Sequence, residues 1–345
     1  MTSSAKGRIP TMKTVSDPGK PLPGFPDALL KSTIVDDAPL NKLLFEVVIY
    51  PKRLTVDEFD WILDLYRAVC PKDRIRLFKI AELPFWSQVA DPILTQSARA
   101  VGRAPYSFFE AARKRISAGR SVEAQLWDGC EIDDAQGTFN LNIEALKRRK
   151  QGLAWYVRFL FPLDFATGQL ARLLRTLVDR IDVFSGHGGP VFAFARDKKD
   201  EAFTEIYAKA RRFWGIDIDM LDLTPFRMRS ELKSPCWLNA LGSPFRDDPD
   251  VAARTKDLRA DPDVTVFDQR HATVFVLGAE PDALDRNRLT KKVLVYQRMA
   301  EVMDGNILDV IGPLAGDGFI SNAGATDAWL HRFSPASNWM AVPNV

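Results

Sequence analysis

An α+β fold, with mixed or antiparallel sheets and packed helices, is the class this sequence predicts, and three observations carry it. β-rich apolar runs and segments with helical periodicity follow one another in a mixed order, not in strict βα alternation. One strand–helix–strand pattern occurs twice, which reads as two related βαβ-like halves. Finally, 345 residues with 46% apolar and 27% charged content can bury a full core without a disulfide or metal staple.

The elements follow in order. Residues 1–39 are rich in Pro, Gly, Ser and Lys without lasting periodicity, and read as a poorly structured leader or an arm lying on the body. Residues 40–150 form the first α/β half. Its strand is Leu44–Pro51, its helix carries Phe59, Ile62, Leu63 and Tyr66 at i, i+3, i+4 and i+7, and a second strand follows at Ile75–Ile80. Residues 151–311 form the second half. Here Trp155–Pro162, the stripe Leu170, Leu173, Leu174 and Leu177, and Pro190–Ala195 repeat the pattern, with strand and stripe at a constant offset of 111 residues. Beyond them, Glu201–Phe213 predicts a helix with Phe203, Ile206, Tyr207 and Ala210 on one face. Cys236–Gly242 reads as a short helix closed by a glycine cap, with Trp237, Leu238 and Leu241 as core. Val264–Phe267 and Thr273–Leu277 predict a strand pair, and Leu289–Met303 a last helix. Residues 312–345 form a C-terminal tail whose Phe319, Trp329, Phe333 and Trp339 imply docking onto the body.

The composition excludes several function classes. Lys+Arg 47 against Asp+Glu 45 gives a formal +2, so there is no global basic field for nucleic acid, and direct nucleic-acid binding is not expected. The basic runs Arg113–Arg115 and Lys147–Lys150 lack interleaved aromatics and read as exposed helix faces and ends. No run of about 18 apolar residues predicts a membrane span, and no apolar run stands behind the N-terminal charges as a secretory signal would require. Cys70, Cys130 and Cys236 lie far apart, which fits a reducing compartment, and a cytoplasmic location is expected. His187, His271 and His331 are too widely spaced for the usual zinc signatures.

Catalytic apparatus is hard to find in the chain, and no catalytic, cofactor or metal residue is assigned. Ser185–Gly189 could form an oxyanion or phosphate loop, yet it lacks the G-x-S-x-G elbow and a Lys at P-loop spacing, and reads as a turn whose glycines supply positive φ. Two acidic stretches stand out: one holds Asp128, Glu131, Asp133 and Asp134, the other Asp217, Asp219 and Asp222. Their plain reading is solvated surface; their functional reading is a negative face toward a basic partner. The alternative from another class is a hydrolase or transferase that uses these acids or the His187 loop. It requires His187, or carboxylates such as Asp133 and Asp217, to converge in one concave pocket with perturbed pKa values.

Five segments in order resemble the type VI secretion immunity protein family, formerly a domain of unknown function. They are Trp155–Asp164; His187-Gly and Gly189 before an apolar strand; Ile206–Phe213 leading to Gly215–Asp217; Ser234–Gly242 with its Trp-Leu-x-x-Leu-Gly pattern; and Val274–Gly278 with Pro281 and Asp285–Arg288. The resemblance spans about residues 40–305 and is strongest from 155 onward; the leader, the aromatic tail and the spacer Ser243–Asp263 depart from the pattern. It implies a non-enzymatic protein in bacterial competition that binds and neutralises a cognate toxic effector, such as a nuclease acting in the cytoplasm, with no cofactor. The acidic residues above are then the candidate partner-binding positions.

Overall fold

A strand buried on both faces must be apolar at successive positions, not alternate ones, and residues 43–50 meet that condition with one exception, Glu46. That segment lies in the middle of the principal sheet. The computed structural model describes residues 25–35, 38–70, 77–80, 87–88, 108–128, 139–194, 198–221, 224–288, 291–309 and 312–339. In chain order these form α1 (Asp27–Leu30), β1 (Ile34–Val35), β2 (Ala38–Pro39), β3 (Asn41–Pro51), α2 (Val56–Val69), β4 (Leu77–Ile80), β5 (Ser87–Gln88) and α3 (Phe108–Ser117). Next come β6 (Val122–Trp127), β7 (Asn140–Arg148), β8 (Gly152–Phe161), α4 (Thr167–Arg180), β9 (Val183–Phe194), α5 (Lys199–Arg212), β10 (Asp217–Ile218) and β11 (Leu238–Gly242). The chain closes with α6 (Pro249–Arg259), β12 (Val264–Asp268), β13 (Ala272–Leu277), α7 (Lys292–Val302), α8 (Asp317–Ser321) and α9 (Ala325–Leu330).

The fold is α+β, with an open, largely antiparallel sheet of eleven strands. Its order is β12-β13-β11-β9-β3-β8-β7-β6-β4-β5, with β10 added parallel to β9. Helices cover both faces. On one, α2, α3 and α4 pack against Phe45, Val47 and Ile49 of β3 and against Val157, Phe159 and Phe161 of β8. On the other, α5, α6, α7 and α9 meet Val48, Tyr50 and Tyr156 within a second core. The two helices of the repeated pattern, α2 and α4, therefore share one face, and all eight stripe residues named for them are buried. A capping box starts α2: the Thr55 side chain accepts from the Glu58 N–H, and Glu58 accepts from the Thr55 N–H. In neither unit do the two strands pair directly, since β3 lies between β8 and β9 while β8, β7 and β6 lie between β3 and β4.

Two local expectations are overturned. Cys236–Gly242 is not a helix: Leu238–Gly242 is strand β11, held between β9 and β13. Its continuous apolar run is that of a strand buried on both faces, and Gly242 is there because a Cβ would lie 2.1 Å from the Val183 carbonyl oxygen. Trp237 is nevertheless core, 1% exposed, with its indole N–H donating to the Gly278 carbonyl at 3.3 Å. Nor is Ser185–Gly189 a turn. It lies inside β9, where a Cβ on Gly186 or Gly188 would press on the carbonyl oxygens of Val48 or Glu46 at 2.9 and 2.8 Å. Only Gly189 of that run has a positive φ, +148°. Lys147 to Lys150 end β7 and turn toward β8, so this run is exposed but not helical.

The helices expected over 201–213 and 289–303 are α5 and α7, and the expected strand pair is β12–β13. Within 1–39, residues 1–24 lie outside the described residues, while Phe25 and Leu29 are buried against the second core. The C-terminal rings dock as expected: Trp329, Phe333 and Trp339 are at 0% exposure and Phe319 at 1%.

Candidate functional site

The sheet's register places polar residues side by side where its apolar pattern breaks. Asn142 of β7 is opposite Arg158 of β8, Arg158 is opposite Val48 of β3, Val48 is opposite His187 of β9, and His187 is opposite Asn239 of β11. Glu46 lies two residues along β3 from Val48 and so points to the same face. The segment after β10 brings up Lys233, and β10 itself supplies Asp217, so that a buried polar cluster forms on the face of the sheet that carries α5.

Its geometry is tight. His187 Nε2 is 3.3 Å from Glu46 Oε1 and 3.8 Å from Asp217 Oδ2. Lys233 Nζ reaches the same Asp217 oxygen at 2.5 Å and donates to the Ile218 carbonyl at 3.1 Å. Arg158 donates to Asp219. Asn239 fixes the strand entry by accepting from the Cys236 N–H at 2.9 Å and donating to the Cys236 carbonyl at 2.7 Å. Arg332, from the tail, donates to the Trp214 carbonyl and the Ser234 hydroxyl at 2.8 and 3.0 Å. Glu46, His187, Asp217, Lys233 and Arg332 are all at most 4% exposed.

Burial sets the protonation states. It raises the Glu46 carboxyl, with Lys233 opposing, and it depresses the His187 imidazole to about 3, so His187 is neutral at physiological pH. Burial acts to lower Lys233, but the carboxylates of Asp217 and Glu46 outweigh it and hold the ammonium charged. For Arg158 burial is likewise outweighed, here by Asp219.

The acidic stretches separate accordingly. Asp217 is 3% exposed and occupied by Lys233, and the Asp219 side chain, 14% exposed, faces Arg158, so neither is solvated surface. Asp128 is 8% exposed, and its Oδ1 accepts from the Phe139 N–H at 2.9 Å. Glu131, Asp133, Asp134 and Asp222 lie outside the described residues. His187 and Asp217 do converge, as the enzymatic alternative requires, and both are buried inside the protein. A cleft of about 530 Å³ lies elsewhere, lined by Thr204, Tyr207, Arg211, Arg212, Arg286 and Asp317 among others, and no member of the cluster lines it. Sequence reasoning missed Glu46, Arg158, Lys233 and Arg332. For the first two the signal was present: a charge in the middle of an unbroken apolar strand has to be paired when buried.

Comparisons with known proteins give the context. The family model described as "TsiV: Type VI immunity for VRR-NUC" matches residues 95–333. The solved structure "Pseudomonas aeruginosa T6SS protein PA0821" is similar in fold, with a TM-score of 0.69 over 89% of this chain and 86% of that chain at 18% identity. No curated protein matches.

Proposed function

This chain belongs to the family of type VI immunity proteins for VRR-NUC, and we propose that its own effector is a VRR-NUC-type nuclease, which it binds and neutralises in the cytoplasm of the producing cell. It is an immunity protein for a cognate type VI effector, a binding partner and not an enzyme. The family match over residues 95–333 is the observation that carries the reading. The interior agrees with it, because the polar cluster around His187 is buried within the protein and sets Asp217 against Lys233. Recognition therefore falls to exposed faces and loops.

A nuclease presents a basic groove to phosphates, and carboxylates set opposite that groove would give an inhibitor both association rate and register. The acidic stretches enter the reading on that argument. Because Asp217 is buried and ion-paired, a Lys there would disrupt the core instead of reporting on binding. The informative reversals are thus Asp133, Asp134 and Asp222 to Lys.

Co-expression with the nuclease encoded beside it is the test. Survival and recovery of a stable complex are expected, and cells that die despite folded immunity protein would refute the reading. Binding kinetics of the charge-reversed variant test the acidic face separately. Association at low salt should slow severalfold with Tm unchanged, and an unaltered on-rate would remove these segments from the interface.

A further inference from the structure

We propose that Glu46, His187 and Asp217 form a buried binding site for a divalent transition metal, zinc foremost, at the centre of the sheet. One ligand atom from each residue lies within 4.8 Å of the other two, with His187 Nε2 at 3.3 Å from Glu46 Oε1 and 3.8 Å from Asp217 Oδ2. Zinc bonds to imidazole nitrogen and carboxylate oxygen are about 2.0–2.2 Å long, so tetrahedral ligand atoms stand roughly 3.4 Å from one another. The two spacings from His187, 3.3 and 3.8 Å, lie close to that value. One neutral imidazole and two carboxylates are also a ligand set that suits zinc.

A second observation is independent of the spacing. Glu46 Oε1 and His187 Nε2 have no hydrogen-bond partner among the described residues, although Glu46 is 1% and His187 3% exposed. A buried oxygen and a buried ring nitrogen that face each other without a hydrogen bond are expensive to leave unmade. A cation between them satisfies both.

The topology gives the ion a structural task. Its ligands come from β3, β9 and β10, and β10 is held to β9 by only two register pairs, Asp217↔Val191 and Ile218↔Phe192. A bound ion would fasten that short strand to the centre of the sheet. Lys233 is the competing cation, since its ammonium takes the same Asp217 oxygen at 2.5 Å. A carboxylate oxygen has two lone pairs, so one serves Lys233 and the other the metal.

The test uses the full-length protein, stripped with a strong chelator, re-equilibrated with zinc sulfate and desalted. Metal content by mass spectrometry and Tm are then measured. About one tightly held zinc per chain is expected, with a Tm above that of the stripped protein. Zinc affinity should fall at least tenfold in Glu46→Gln and in His187→Gln. It should be unchanged in Asp327→Asn, which alters the more exposed group Asp309, Asp327 and His331. If His187→Gln does not fold, Glu46→Gln, which preserves side-chain shape, decides. Wild-type protein that takes up no zinc, a Glu46→Gln variant that binds as wild type does, or zinc lost only with Asp327→Asn would each overturn the proposal. None of these readouts involves the effector, so their failure leaves the proposed function standing.

Discussion

On the α2–α4 face of the sheet, Phe45, Val47, Val157, Phe159 and Leu174 meet with no charge among them; on the opposite face Glu46, Arg158, His187, Asp217 and Lys233 share the same depth with Val48 and Tyr50. Both faces are buried to a similar extent, yet they answer burial differently. The first is held by area and shape, so each side chain contributes roughly on its own and a loss is graded. In the second every charge depends on a partner, so removing one leaves another exposed to the full cost of desolvation. Equal burial thus does not mean equal tolerance. The polar face is where substitution should be least additive.

The largest effects should come from breaking that asymmetry. Lys233→Met leaves Asp217 buried without its ammonium and should cost about 3–5 kcal/mol in urea unfolding. The double variant Lys233→Met with Asp217→Asn should recover a large part of the loss; a strictly additive pair would mean that the two groups do not depend on each other. On the apolar side Trp237→Ala should cost about 3–5 kcal/mol and Leu174→Ala about 2–5 kcal/mol. Combining Leu174→Ala with Lys233→Met should be additive within about half a kcal/mol, since the residues share no partner. Gly188→Ala ranks next, at about 1–3 kcal/mol, because its Cβ would sit 2.8 Å from the Glu46 carbonyl oxygen in a central strand pair. An unchanged denaturation midpoint for this variant would show that β9 can move away from β3.

The apolar packing was legible in the sequence on both faces, and the polar cluster was largely not. The stripes on α2 and α4, the helix α5, the pair β12–β13 and the docking of Trp329 and Trp339 all follow from periodicity or ring size, which are local properties. Helical periodicity failed at Cys236–Gly242, where a strand buried on both faces has no alternation to display. The glycines of Ser185–Gly189 suggested a turn, because sequence alone does not distinguish a glycine that turns from one that lets two strands approach. The polar cluster needed the register itself. His187 meets Glu46 and Asp217 from positions 141 and 30 residues away in the chain, read from their numbers, and no spacing rule joins them. The resemblance to type VI immunity proteins rested on Trp237, Gly242 and Asp285, which the structure uses as scaffold: a core ring, a close strand approach, and an acceptor for the Asn287 N–H. Family could be read from such positions, whereas the partner surface could not.

The smallest expected effect sharpens the comparison by holding chemistry constant and changing depth. Arg158–Asp219 and Arg212–Asp285 are both guanidinium–carboxylate pairs, but the Arg158 side chain is 7% exposed and that of Arg212 42%. The hydrogen bonds from Arg212 hold the Asp285 carboxyl below its ordinary value, so the pair contributes stability that is present above the usual carboxylate range, near pH 4, and is lost as pH falls through the lowered value. Solvent screens the pair, and Asp285→Asn should therefore lower Tm at pH 7 by no more than about 2 °C. The gap between variant and wild type should close as both are titrated below the lowered value, because the wild-type carboxyl then becomes neutral as well. Asp219→Asn should cost several times more at pH 7, since it strands Arg158 in the interior. Equal Tm losses for Asp285→Asn and Asp219→Asn at pH 7 would show that depth does not separate the two pairs, and the distinction between the faces would then rest on Lys233 alone.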